Sequence, residues 1–244
     1  MSDVYKAPEA DLNQPVEVGE YGSLETALAG NYSFDPVEVI KKAWETLLGL
    51  KGTFWLAVLI YAILTFVLNG IAAFTLGLDA TTYGVGDLFA QLLSTFLLSP
   101  LYAGIFIIAL KHSIGSPIQV GEIFNHYDKI LPIFVVTILT QLIVGIGLVL
   151  LIIPGIYLAV CLSFAMPLVV EKNMSPMQAI KTSRKVVHHK WFSFAGFLLL
   201  GLVVGFVGIL ALLVGLVWAA PLVTLAWALV YRDVFGVEET TGNS

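Results

Sequence analysis

Residues 172–191 read "KNMSPMQAIKTSRKVVHHKW", and six of the sixteen residues from Ser175 to Lys190 are Lys, Arg or His. The almost unbroken apolar run 131–170 precedes this island, and a second long apolar run begins at Trp191. Its opening identifies it as the start of a helix. Ser175 has the chemistry of an N-cap, Pro176 suits the first helical position, and Gln178 stands three residues after the cap, the pattern of a capping box.

Composition sets the solvent. Hydrophobic residues make up 58 % of the 244 and charged residues 12 %, roughly half the fraction of about 25 % expected of a soluble domain. A water-soluble core of this size cannot hide that surplus, which leaves lipid. Apolar stretches of about 20 residues, enough to cross a bilayer, fall at roughly 53–77, 88–110, 131–153, 155–171, 191–214 and 215–232. The fourth and sixth are short and lean on snorkelling flanks such as Lys172 and Arg232. Pro154-Gly155 is the expected hinge between the third and fourth, because proline lacks a donor and glycine permits a reversal. Gly215 is the expected turn between the last two, since Leu131 to Gly155 and Trp191 to Gly215 are the same 24-residue step.

With six spans, both termini and the 2–3 and 4–5 connections share one face. All twelve Lys and Arg residues fall there: Lys6, Lys41, Lys42, Lys51, Lys111, Lys129, Lys172, Lys181, Arg184, Lys185, Lys190 and Arg232. The positive-inside rule then places both termini in the cytoplasm. Residues 1–34 carry six acids (Asp3, Glu9, Asp11, Glu17, Glu20, Glu25) against Lys6, and their low apolar content predicts a disordered acidic tail. The membrane domain is expected over 35–233, with a short cytoplasmic tail over 234–244. No basic segment followed by an apolar one marks a cleavable signal peptide.

The island has relatives within the chain. Ser175-Pro176-Met177-Gln178 matches Ser116-Pro117-Ile118-Gln119 and, more loosely, Asp35-Pro36-Val37-Glu38. Each precedes an odd-numbered span, and the even spans share Pro100-Leu101, Pro167-Leu168 and Pro221-Leu222. These marks predict an all-α integral membrane fold: six transmembrane helices in three repeated units, each an interfacial amphipathic helix feeding a hairpin. Asp35, Ser116 and Ser175 are the expected helix caps. Such helices are expected to lie in the interface, apolar side down, with Lys181, Arg184, Lys185, Lys190, Lys41 and Lys42 meeting anionic headgroups of the cytoplasmic leaflet. A topology signal alone is the plainer reading of the same charges.

Chemistry is sparse. No ionisable residue lies deep within a proposed span, and such residues usually mark proton relays and ion-coupled transport. The single cysteine, Cys161, sits in an apolar run with no partner thiol, so neither an intrachain disulfide nor a metal-ligand set is expected. His188-His189 point about 100° apart on a helix and form no metal site. "TTYGVGD" (81–87) has neither the letter order nor the pore helix of a potassium filter. Gly201-x-x-x-Gly205 fits close helix packing, within the chain or between copies, so the oligomeric state stays open. No cofactor, nucleic-acid or catalytic motif is present, and an enzyme is not expected.

The stretch "LLIIPGIYLAVCLSFAMPLVVEKNMSPMQAIKTSRKVVHHKWFSFAGFLLL" (150–200) resembles the signature region of the YciC-like bacterial six-span membrane proteins. It is also similar to the membrane domain attached to some glycerophosphodiester phosphodiesterases. The likeness rests on Pro154–Ile156, the helix reaching Pro167, the segment Met177–Arg184, and Trp191, and it extends over about 100–230. It implies a multi-pass inner-membrane location and no catalytic residues; the acidic tail has no counterpart in it and is a candidate docking segment for a protein partner. The expected function is a non-enzymatic membrane component, either an envelope scaffold or a binder of anionic lipid. The alternative is a permease or lipid flippase with a path near Pro100, Pro167 and Pro221, lined by Gln91, Ser94, Gln141 or Ser163.

Overall fold

The structure, a computed structural model, describes residues 21–76, 84–211, 214–238 and 241. Most of the acidic tail, and of the loop 78–87 with its glycine turn, lies outside the described residues. The fold is all-α with six spans. A short α1 (Leu24–Leu28) and α2 (Pro36–Thr46) lead into the first hairpin, α3 (Lys51–Leu76) and α4 (Val85–Ser113). Hairpin two is α5 (Ile130–Leu150) with the broken pair α6 (Ile152–Cys161) and α7 (Ala165–Glu171). The surface helix α8 (Pro176–His189) then feeds hairpin three, α9 (Trp191–Leu210) and α10 (Leu216–Phe235).

The spans sort into two layers. Only 6 %, 17 % and 17 % of the most apolar stretches of the odd spans are buried, against 67 %, 50 % and 61 % of the even ones. The even spans are the inner layer. The odd ones present Leu, Ile, Val and Phe outward, as lipid contact requires.

Two of the three expected caps form. Asp35 Oδ1 accepts from the Val37 and Glu38 amides at 2.7 and 3.3 Å, and the Ser175 amide donates to Gln178 Oε1 at 3.2 Å. Ser116 begins no helix, which corrects the threefold pattern. Residues 116–119 are irregular, and a 3-10 turn over Val120–Phe124 starts only after Gln119, whose amide donates to Glu122 Oε1 at 3.2 Å. Gly121 and Asn125 disfavour a helix there. The segment is also pulled inward: Glu122 pairs with Lys111 at 3.2 Å, and a Cβ on Gly104 of α4 would stand 2.5 Å from Ile123 Cα.

The hinge of hairpin two sits earlier than Pro154-Gly155. The chain reverses at Leu151, which is extended (φ −156°, ψ 132°), and Pro154 falls in the first turn of α6, where its missing donor is not needed. Gly155 serves close approach instead: a Cβ there would lie 2.5 Å from the Leu148 amide nitrogen. Hairpin three does turn just ahead of α10 at Gly215, and a Cβ on Gly215 would lie 2.8 Å from Gly208 Cα. Gly201 makes ordinary contact with Val223 and Gly205 faces open space, so the closest approach in that hairpin is one helical turn beyond the expected motif.

The Pro-Leu marks do not break helices as expected. α4 and α10 run unbroken through Pro100 and Pro221, and Pro167 is the third residue of α7. A proline in a helix interior frees the carbonyl four residues back. For Pro221 that carbonyl is Val217, which accepts from Trp55 Nε1 at 3.0 Å; beside Pro100, the Leu97 carbonyl accepts from the Tyr127 hydroxyl at 2.9 Å. The true interruption is at Leu162–Phe164. Ser183 of α8 fills it, donating to the Cys161 carbonyl at 2.7 Å and accepting from the Phe164 amide at 3.3 Å.

A further departure concerns the ends. Residues 21–34, expected in the disordered tail, are ordered, because Leu24, Leu28, Tyr32 and Phe34 pack on the core. They meet the other terminus: the Gly22 carbonyl lies against Gly236, and the Arg232 guanidinium sits 4.6 Å from the Tyr21 ring centroid. Lys51 opens α3 beside the end of α4, where His112 Nε2 lies 2.7 Å from the Thr46 carbonyl. Lys51 Nζ lies 5.2 Å from the Trp218 ring centroid, so the first turn of α3 reaches the first turn of the shorter α10.

Replacing Ser183 with Ala strands a buried carbonyl and a buried amide. It is expected to lower stability by about 1–3 kcal/mol, read as a lower unfolding midpoint in detergent; an unchanged midpoint would show that the gap is satisfied otherwise.

Candidate functional site

Helix α8 is amphipathic, and the structure decides which face goes where. Ala179, Ile180, Ser183, Val186 and Val187 form the buried stripe. Successive contacts run in opposite order along α6 and α7: Ser183 meets Cys161 and Phe164, and His188 Nδ1 lies 2.9 Å from the Tyr157 hydroxyl. Helix α8 therefore packs antiparallel on the fourth span, apolar face on protein. The expectation of a helix lying on lipid by that face is corrected, since the broken span offers it hydrogen bonds that lipid lacks. Its last turn is held from the tail side, where the Tyr32 hydroxyl donates to the Val186 carbonyl at 2.6 Å. Burial pushes the Tyr32 phenol well up from its ordinary value, which keeps it a donor.

This docking leaves one face outward: Lys181, Arg184, Lys185, His188 and His189, with Lys190 at the corner, are all exposed. Among the described residues none of the six makes an ion pair, because the ion pairs employ Lys111, Lys172 and Arg232. The two histidines diverge. His188 goes to Tyr157, while the His189 ring lies beside Gly30.

Helix α2 keeps two apolar faces. Val39 and Ala43 are buried, whereas Val37 and Trp44 stay exposed beside exposed Lys41 and Lys42. In the second copy Lys129 turns inward and donates to the Val170 carbonyl at 2.8 Å. The three repeats therefore do not present three equivalent basic faces; α8 carries the dense one.

Sequence reasoning missed a second set of charges. Lys111, Glu171 and Arg232 end the three even spans and are 2 %, 4 % and 4 % exposed. The side chain of Glu171 is fully buried. Its carboxylate accepts from the Tyr231 hydroxyl at 2.8 Å and from the Glu238 amide, and Lys172 Nζ lies 3.4 Å away. Arg232 donates to the Ser113 carbonyl and pairs with Asp233 at 2.7 Å. Lys111, Glu122, Asp128, Lys129 and Glu171 line a polar cavity of about 210 Å³ between these ends. The signal was present: each of the three is the first ionisable residue after an even apolar run. The snorkelling reading sent Arg232 outward, but Tyr21 of the tail segment lies on it, and the Glu238 amide meets Glu171.

Comparison with family models, with curated proteins and with solved structures gives no match. Charges in the inner cluster point at partners within the fold, which suits cohesion between spans. Among the described residues the outward row on α8 has no carboxylate partner, and it is the surface available for a ligand.

Truncating one member of a buried charge network leaves the others uncompensated, at about 3–5 kcal/mol. Glu171→Ala is expected to lower the unfolding midpoint sharply, whereas Lys185→Ala leaves it in place. Equal midpoints for the two would assign the cluster no structural role.

Proposed function

We propose that this multi-pass protein is a non-enzymatic component of the bacterial inner membrane, with both termini cytoplasmic, that engages anionic lipid through the basic face of α8. An envelope scaffold is the role such a face fits. The observation that carries this reading is the row Lys181, Arg184, Lys185 and Lys190, exposed and, among the described residues, without a carboxylate partner, on a helix whose apolar side is already occupied by protein. Clustered cations flanking a span attract anionic headgroups at about 1 kcal/mol each near the surface. Exposed Lys41 and Lys42 on α2, beside Val37 and Trp44, add a second and weaker contact. The resemblance of residues 150–200 to the YciC-like proteins agrees with this location.

A permease or flippase would need the polar path expected near the three prolines. Gln91 and Gln141 face outward, and the Ser163 hydroxyl turns back on the Val160 carbonyl at 2.8 Å. The Val217 carbonyl that Pro221 frees already has the Trp55 indole as its donor. These facts favour the lipid-engaging reading over a transport path.

Changing Lys181, Arg184, Lys185 and Lys190 together to Gln should remove most of the anionic lipid that copurifies with the protein, as counted by lipid mass spectrometry, while the unfolding midpoint holds. Anionic lipid content equal to that of the unaltered protein would refute the reading.

A further inference from the structure

Where α8 passes the chain to α9, a cavity of about 500 Å³ opens between Tyr157, His188, His189, Lys190, Trp191 and Ser193. Its lining holds three residues able to carry positive charge and no carboxylate. The floor is aromatic: the Tyr157 and Trp191 rings stack with centroids 6.1 Å apart and 29° between planes, and the Tyr157 hydroxyl is tied to His188. Among the described residues the buried Trp191 indole N–H has no acceptor. An orphan donor of that kind is costly unless an oxygen from water or a ligand reaches it.

A second feature begins at the same corner. Phe192, Leu199, Val203 and Phe206 of α9 are 85 %, 63 %, 49 % and 60 % exposed. Their steps of seven, four and three residues place them on one helix face. A cationic, aromatic-floored cavity at the head of an outward apolar stripe is complementary to an amphiphile with an anionic head. A free anion would use the first feature and leave the second idle.

We propose that this corner is a discrete site for one anionic glycerophospholipid. Its phosphodiester lies among His188, His189 and Lys190, and an acyl chain follows Phe192, Leu199, Val203 and Phe206. The proposal rests on the reading that the basic face meets lipid, and adds to it a single site of fixed stoichiometry. The chemistry it shares with a free-phosphate site is recognition of the phosphate oxyanion.

The test uses the full chain in phosphatidylcholine nanodiscs doped with phosphatidylglycerol, released into mild detergent for native mass spectrometry. One phosphatidylglycerol adduct is expected to persist. Lys190→Gln should weaken it about fivefold, and His188→Gln, His189→Gln and Lys190→Gln together at least about tenfold. Tyr157→Phe, which keeps every charge, should weaken it less. Lys181→Gln, Arg184→Gln and Lys185→Gln together should spare this one adduct while removing looser ones.

An adduct that Lys190→Gln leaves unchanged overturns the site. So does one lost with Lys181, Arg184 and Lys185 alone, although the broader reading would then stand. Equal retention of phosphatidylcholine, or displacement by millimolar inorganic phosphate, would also overturn it, by showing a general amphiphile or phosphate pocket. Anionic adducts undiminished in both sets of variants would sink the broader reading as well.

Discussion

Backbone acceptors and donors inside an apolar protein need partners, and most of this architecture follows from where the chain supplies them. A helix that breaks or carries an internal proline leaves groups that lipid cannot satisfy. Ser183 closes the break at Leu162–Phe164, Trp55 answers the carbonyl freed by Pro221, and Tyr127 ties its segment to the Leu97 carbonyl of α4. In every case the donor or acceptor comes from an odd span or the segment leading into it and reaches an even one. These bonds bring the surface segments onto the inner helices. For α8 the consequence is functional, because a helix fixed by its apolar face must show its cations outward.

The ends of the even spans add a second constraint. Charges that would face water in an isolated helix are enclosed here, and they are matched within the fold: Lys111 with Glu122, Glu171 with Tyr231 and Glu238, Arg232 with Asp233 and the Ser113 carbonyl. Tyr21 and Gly22 close over the same region from the opposite end of the chain. Tyr21–Gly22 and the end of α10 thus meet where α4, α7 and α10 converge, and the three units form a closed arrangement rather than an open row.

Much of this was legible in the sequence. The hydropathy runs located every span, and the caps at Asp35 and Ser175 and the turn ahead of α10 at Gly215 were readable because each depends on local chemistry. Ser116 carried the same letters as Ser175 without capping a helix, since Gly104, Lys111 and Glu122 act on that segment from outside it. Pro154-Gly155 suggested a hinge, but the glycine is there for contact with Leu148. The outward cations of α8 were readable from periodicity. Which solvent its other face meets was not, because that depends on Ser183 finding a broken helix nineteen residues earlier, at Phe164. The buried ends Lys111, Glu171 and Arg232 were hidden for the same reason: tertiary cover, unlike hydropathy, has no local signature.

The central claim is that α8 lies against the fourth span with its basic face outward, on the side of the membrane that carries both termini. Cysteine accessibility addresses it directly, since the one native thiol, Cys161, is buried. In sealed vesicles of each orientation, Lys185→Cys should react with an impermeant maleimide only from the side that also exposes a cysteine added at the C-terminus, and Val186→Cys should stay protected from both sides. Reaction of Lys185→Cys from the opposite side, or equal reaction of Val186→Cys and Lys185→Cys, would contradict the account.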